Sequence, residues 1–283
     1  MADVKGAKIA AEPIGKTFVA AVNGLDLREP LDPEQIAALR DLVHQYGVLV
    51  VRGQERLSDD ALAAFAGAWG DVLLLGPPEQ QRPIIKIGNL DSEGRIRPAD
   101  DNYRKANEAN AFWHIDNTYS EPPAKYSMLL GRIIPSAGGE TEFADAVAGF
   151  ASLPPARQKE LESLVALHSY AHSRSLTNYA AFSAGERAML GEQERPLIFS
   201  HPATGTKSLY VTSHIRIIPG MSEGETKQLL EDLRKAATQP DYVYRHIWHP
   251  GDLLIYDNRM VMHRAQPYAD MDEPRDLSAL RVV

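Results

Sequence analysis

The chain has 283 residues, 44% of them hydrophobic, and a formal net charge of −8 with both signs mixed along its length. That is enough apolar material for a large core, and the lack of a basic block argues against nucleic acid or an anionic membrane surface as the main partner. Cysteine is absent, which excludes disulfides, thiolate metal sites and cysteine nucleophiles. Met1 to Gly15 has no signal-like apolar core and no run approaches the length of a membrane span, so a cytoplasmic protein is expected.

In chain order, Phe18 to Val22 predicts a strand that ends at Asn23-Gly24. Asp32-Pro33-Glu34-Gln35 has the form of a helix start, with Asp32 as N-cap, Pro33 at the first helical position and Gln35 reaching back. Ile36, Leu39, Leu42 and Val43 follow at helical spacing, Gly47 stops the helix, and Val48 to Val51 reads as a buried strand. Ser58 caps a second helix carrying Leu62, Phe65 and Trp69, and Ile84 to Ile87 is another strand. From Gly88 to Asn110 the sequence turns polar. A polar stretch of that length inside a domain is usually functional or mobile, so 88–110 is a candidate lid, with a solvated loop as the equal alternative.

Phe112 to Tyr119 is rich in aromatic and β-branched residues and predicts a strand. Alternation along a strand sets His114 and Asp116 on one face. Far downstream, the apolar strand Leu253 to Tyr256 leads through a turn to a second short strand carrying His263. Two histidines and one carboxylate on one side of a metal leave adjacent positions for a chelating cosubstrate and O₂, the arrangement of non-haem Fe(II) oxygenases. A His-x-Asp alone carries little weight, so the inference depends on what accompanies it.

The remainder alternates short strands and turns. Tyr126 to Gly131 predicts a strand, and Gly138-Gly139 a tight turn. Pro154-Pro155 opens a helix, and Ser183 to Glu186 resembles a capping box. Leu197 to Pro202 and Ser208 to Val211 predict a hairpin, Ser222 caps a helix with Leu229, Leu230 and Leu233, and Tyr242 to Trp248 alternates as a strand. This pattern gives a mostly β fold with flanking helices, an antiparallel jelly roll (double-stranded β-helix), read as a single domain over 1–283.

With Asn110, His114, Asp116, Gly138-Gly139-x-Thr141, Gly251-Asp252-x-x-x-Tyr256-Asp257-Asn258-Arg259, His263 and Arg275 in order, the chain resembles the taurine dioxygenase family of Fe(II)/2-oxoglutarate oxygenases, and within it the branch that cleaves phenoxyalkanoate herbicides. The resemblance implies iron held by His114, Asp116 and His263, with 2-oxoglutarate and O₂ as cosubstrates. It assigns the distal carboxylate of 2-oxoglutarate to Arg275 and Thr141, and a planar guanidinium in a water-poor pocket suits that task. It also implies hydroxylation of a substrate C–H with release of succinate and CO₂, giving ether cleavage where the carbon bears an ether oxygen.

Two departures from the family pattern bear on substrate. The second arginine expected four residues past Arg275 is Ala279, which leaves Arg281, on the same strand face about 7 Å further on, as first choice for an acid group. Lys86, Arg95 and Arg97 stand behind it. Leu73-Leu74-Leu75 occupies the place of a polar sulfonate contact, which favours a small organic acid with an apolar or aromatic body. Asn110, Asn117, His201 and His214 complete the expected substrate-binding set, with Leu73, Lys86 and Arg281. The partners expected are a small molecule and further copies of the chain. The rival readings are a family member acting on a sulfonate or a neutral compound, a halogenating relative (disfavoured because Asp116 fills the halide position), a zinc hydrolase on the same ligands and a non-catalytic jelly-roll binding protein.

Overall fold

The first helix begins and ends where its sequence dictates. Asp32 accepts the Gln35 N–H at 2.8 Å, Gln35 accepts the Asp32 N–H at 3.0 Å, and Gly47, at φ 86°, closes α1 (Pro33–Tyr46). Ser58 caps α2 (Asp59–Gly67) with one bond, accepting the Ala61 N–H at 3.1 Å, since Ala61 has no polar side chain to reach back. The computed structural model describes residues 9–15, 18–74, 81–177, 179, 182 and 191–283. The expected capping box at 183–186 and Leu75 lie outside them.

Strands β1 (Ala11–Pro13), β2 (Val19–Val22), β3 (Val48–Val51), β4 (Ile85–Gly88), β5 (Tyr126–Ile133), β13 (Leu253–Asp257) and β15 (Asp276–Val282) form one seven-stranded sheet, ordered β1-β2-β3-β13-β5-β15-β4. Opposite it, β6 (Thr141–Asp145) pairs with β12 (Val243–His246) and β14 (Val261–Ala265). A second three-stranded sheet is ordered β11 (Ile215–Ile217), β7 (Val165–Ser169), β8 (Glu192–Pro196), and β9 (Ile198–Ser200) pairs with β10 (Lys207–Leu209) as the expected hairpin. The helices α3 (Asn102–Glu108), α4 (Ala146–Ala151), α5 (Pro155–Leu161), α6 (Tyr170–Ser175) and α7 (Glu223–Ala237) lie in the connections.

The central strands read as continuous apolar runs because both their faces are covered. Leu49, Val51, Met128, Leu130, Leu253 and Ile255 pack with Leu39 and Val43 of α1 and Leu62 of α2. The alternate residues Val48, Val50, Leu129, Leu254 and Tyr256 pack with Phe143 of β6 and Val261 of β14. Each fully buried aliphatic side chain contributes about 1.5–3 kcal/mol. This second face encloses the interior between the sheets, and it is there that Tyr256, Thr141, His263 and the far end of β15 point chemistry inward.

Two sequence expectations change. Residues 112–119 do not form a strand: His114 makes a single antiparallel bridge to His263, and the chain then turns through Asn117 at φ 49°. The polar stretch 88–110 is not one loop either. It carries an antiparallel bridge from Leu90 to Ile96, helix α3 capped by Asp101, and a short 3₁₀ turn over Ala109–Ala111.

Candidate active site

The bridge between His114 and His263 brings the two ends of the sequence motif together. Their backbone N–H groups each donate to the other's carbonyl at 2.9 Å, and their ring centroids lie 4.1 Å apart. The turn after Ile115 then brings Asp116 beside them. Asp116 Oδ1 is 3.9 Å from His114 Nε2, and Asp116 Oδ2 is 3.8 Å from His263 Nε2. His114 Nδ1 lies 2.8 Å from the Phe112 carbonyl, which fixes the ring proton on Nδ1 and leaves Nε2 its lone pair.

Asp116 is held on both oxygens. Ser127 Oγ donates to Oδ2 at 2.7 Å, the Tyr256 hydroxyl donates to Oδ2 at 3.0 Å, and Arg281 Nη2 donates to Oδ1 at 3.0 Å. Asn258 completes the support by donating to Ser127 Oγ at 2.8 Å and accepting the Asp116 N–H at 3.2 Å. Burial opposes charge on Asp116, but Arg281 and the two histidines hold its carboxyl well below the usual carboxylate range. Burial presses the His263 imidazole down to about 3, with His114 adding to the effect. Three buried donor groups, two of them neutral imidazoles and one ionised carboxylate, fit a divalent metal such as Fe(II), and their ligand atoms all lie within 4.8 Å of one another.

A cavity adjoins this cluster. It is lined by His114, His263, Thr141, Tyr256, Asn110, Leu129, Leu277, Arg275 and Arg281, among others. Arg275 is buried, and among the described residues no carboxylate forms an ion pair with its guanidinium. Nη2 donates to the Gly139 carbonyl at 3.1 Å and Nε has no partner among the described residues. Burial lowers its affinity for the proton, the expected result for a cation placed where an anion is to arrive. Two glycines seat it: a Cβ at Gly88 would lie 1.9 Å from the Arg275 carbonyl oxygen, and Gly139, at φ 71°, would bring one to 3.3 Å from Nε. Thr141 accepts the Trp248 indole N–H at 3.1 Å and lines the same cavity.

The expected substrate residues separate. Asn110 lines the cavity and donates to Asn107 at 3.2 Å. His214 lies beside the metal cluster, 6.3 Å between its ring and that of His114, with Tyr119 4.8 Å away on another side. Asn117 sits at the turn beside Asp116, 3.4 Å from the Tyr119 hydroxyl. Arg281 lines the cavity with Nε and Nη1 unpartnered among the described residues. Three others are directed elsewhere. Lys86 is half-exposed and paired with Asp59 at 3.0 Å and Ser278 at 2.8 Å, because its strand turns it to the face opposite Ile87. His201 is buried against Asp257 at 3.1 Å and lines neither this cavity nor its outward extension. Leu73 is half-buried and pairs its backbone with Arg281, and Leu74 is 49% exposed, so neither forms an apolar wall on this cavity. Ser127, Tyr256 and Asn258 had no assigned role in the sequence, although the run Tyr256-Asp257-Asn258-Arg259 marked the place of two of them.

The family model for "Taurine catabolism dioxygenase TauD, TfdA family" matches residues 10–282. The chain belongs to this family. It is 36% identical over 276 residues to an alpha-ketoglutarate-dependent 2,4-dichlorophenoxyacetate dioxygenase of Cupriavidus pinatubonensis, covering 95% of this chain and 96% of that protein. It is 34% identical over 269 residues to an (S)-phenoxypropionate/alpha-ketoglutarate-dioxygenase of Sphingobium herbicidovorans, covering 93% and 91%. Among solved structures it superposes on AAD-2 in complex with Mn(II) and N-oxalylglycine with a TM-score of 0.89 at 34% identity, covering 98% of this chain and 97% of that one. The fold is the jelly roll expected from the sequence. No helix among the described residues is long and apolar enough to cross a membrane.

Proposed function

We propose that this dioxygenase uses Fe(II) and 2-oxoglutarate to hydroxylate a small organic acid with an apolar or aromatic body, phenoxyalkanoates being the leading class. The observation that carries the reading is one cavity bounded at one end by His114 and His263 of the His114–Asp116–His263 cluster and at the other by Arg275, a buried cation with no ion-paired carboxylate among the described residues. The two named relatives, which act on phenoxyalkanoates, support the substrate class.

In this reading His114, Asp116 and His263 hold the metal, which supplies activation of O₂ together with oxidative decarboxylation of 2-oxoglutarate to succinate and CO₂. The protein's part is positional. Ser127, Tyr256 and Arg281 fix the Asp116 carboxylate, and the Phe112 carbonyl fixes the His114 tautomer. Arg275 and Thr141 bind the distal carboxylate of 2-oxoglutarate. Arg281 offers Nε and Nη1 to the acid group of the prime substrate, with His214, Tyr119 and Asn117 beside the metal as its further surroundings. Where the oxidised carbon bears an ether oxygen, the hemiacetal product breaks down to an alcohol and a carbonyl compound.

The test is substrate-dependent succinate release across a panel of phenoxyalkanoates, sulfonates and neutral aromatics. Phenoxyalkanoates are expected to stimulate release. Stimulation by neutral compounds with none by any acid would remove the anionic-substrate reading. Arg275→Gln is expected to raise KM for 2-oxoglutarate by about a hundredfold or more, since removing one partner of a desolvated charge pair costs roughly 3–5 kcal/mol.

A further inference from the structure

The cavity around Arg275 opens outward away from the His214–Tyr119 side. A second cavity shares Ile87, Asn110, Ala265 and Arg275 with it and runs to the surface between α3 and the segment 266–270. Its outer walls are Arg104, Asn107 and Glu108 on one side and Gln266, Pro267, Tyr268 and Asp270 on the other. Neither His214, Tyr119 nor Asn117 lines either cavity.

The walls are tied together through Arg104, which donates to Met271 Sδ at 2.8 Å. Arg104 ion-pairs with Asp270 and also donates to the Arg97 carbonyl at 2.9 Å. Asn89 holds the opposite bank by donating to the carbonyls of Asp270 at 2.7 Å and Glu273 at 2.8 Å. Among the described residues the cations along the path are Arg104 at the rim and Arg275 at the base. Asp270 neutralises Arg104 and Glu108 also lines the mouth, so Arg275 at the base is the cation left without a paired carboxylate among the described residues, and it is the end point for a small dianion entering here.

We propose that 2-oxoglutarate reaches Arg275, and succinate leaves, through this mouth beneath α3, separately from the prime substrate, with the Arg104–Asp270 pair as its latch. The proposal rests on the assignment of Arg275 to 2-oxoglutarate. It gives the segment expected from sequence to be a lid a specific duty: α3 covers the cosubstrate's path.

The physical signature of a path is kinetic. A group that obstructs a path without touching the bound ligand slows association and dissociation equally and leaves the equilibrium constant unchanged. A group that distorts the site changes the equilibrium constant. The chain has no cysteine, so one introduced thiol is labelled uniquely. Glu108 is exposed and lines the outer cavity.

The experiment uses anaerobic Fe(II)-loaded full-length protein, with 2-oxoglutarate association followed by stopped-flow absorbance and its dissociation constant by titration. Glu108→Cys carrying a bulky maleimide is expected to slow association and dissociation in parallel, by about tenfold, at unchanged affinity. Labelled Ile247→Cys, at an exposed position lining neither cavity, is expected to keep native rates, and unlabelled Glu108→Cys, which takes one anion from the mouth, to associate at least as fast as the native protein. Asp270→Asn, which releases the latch, is expected to speed both steps. Native rates in labelled Glu108→Cys, or a change in affinity without the parallel change in rates, would overturn the path. If instead Arg275→Gln leaves 2-oxoglutarate affinity unchanged, the underlying assignment of Arg275 falls.

Discussion

Two groups of two histidines and one aspartate occur among the described residues, each with its ligand atoms within 4.8 Å of one another: His114, Asp116 and His263, and His44, His201 and Asp257. By residue type they are the same, yet their hydrogen bonds give them different capacities. His201 Nδ1 accepts the N–H groups of Ala203 and Thr204, both at 3.2 Å, so the ring proton must sit on Nε2, which donates to Asp257 at 3.1 Å. That nitrogen has no lone pair for a metal. Asp257 also takes Arg259 Nε at 2.7 Å and Nη2 at 2.5 Å, and the Arg259 guanidinium stacks on Tyr126, whose hydroxyl is 2.7 Å from His44 Nε2. In the first group the backbone meets the same nitrogen with the opposite polarity: the Phe112 carbonyl accepts from His114 Nδ1, holds the proton there and frees Nε2 toward Asp116. Whether the backbone offers Nδ1 an acceptor, as at His114, or a donor, as at His201, decides which of the two rings keeps a lone pair on Nε2.

The sharpest way to break this comparison is to remove one member of each group. His263→Ala and Asp116→Ala are expected to abolish both stoichiometric Fe(II) or Mn(II) retention and turnover, a loss beyond the roughly 10–100-fold that removing an outer partner of a ligand costs. His201→Ala is expected to keep one metal per chain by elemental analysis. Two metals per chain in the native protein, falling to one in His201→Ala, would show that both groups bind.

Asp257→Ala should act on folding instead. It leaves the Arg259 guanidinium and His201 buried without their shared carboxylate, and breaking a buried pair costs about 3–5 kcal/mol. Urea denaturation at neutral pH would register that loss, with metal stoichiometry retained in the folded fraction. A smaller effect is expected at the support of the first group. Ser127→Ala removes one donor from Asp116 and strands Asn258 Nδ2, and should weaken Mn(II) binding roughly 10–100-fold in an EPR titration. Unchanged Mn(II) affinity would mean that Tyr256 and Arg281 alone fix the carboxylate.

Much of this was legible in the sequence, for reasons that differ by element. Helix starts at Asp32, Ser58 and Ser222 were readable because capping is local chemistry between residues three apart. The central strands were readable because apolar runs report burial on both faces. The stretch 112–119 misled, since its aromatic and β-branched composition suits a strand while its conformation is set by a single long-range bridge to His263 and a left-handed Asn117. His114 and Asp116 still meet, but through a turn rather than through alternation. His201 and Lys86 were misplaced for a related reason: whether a polar side chain faces a cavity or a neighbouring carboxylate depends on tertiary partners, here Asp257 and Asp59, that lie far away in sequence. Arg281 could be placed on the same face as Arg275 from strand periodicity, but its contact with Asp116 came only from the fold.

A third histidine sharpens the comparison by having neither a metal group nor a carboxylate. His168 is fully buried, Nδ1 lies 2.8 Å from Thr118 Oγ1, and Nε2 has no partner among the described residues. Burial, reinforced by the Arg195 charge, pushes its pKa down to about 3. The unfolded chain takes up this proton near pH 6.5 and the folded protein resists it until about pH 3. Between those values the unfolded state binds more protons, so stability falls as pH falls, and His168 contributes its full share only above about pH 6.5. At pH 5 the loss from this residue alone is about 2 kcal/mol, taking 1.36 kcal/mol per pH unit. Other buried histidines add to the total, so the measurement is a difference. The urea-derived stability of the native protein should fall between about pH 7.5 and pH 5 by roughly 2 kcal/mol more than that of His168→Gln, whose amide does not titrate. Equal losses in the two proteins would show that the folded state takes up this proton as readily as the unfolded chain does, through water or a local opening that reaches Nε2.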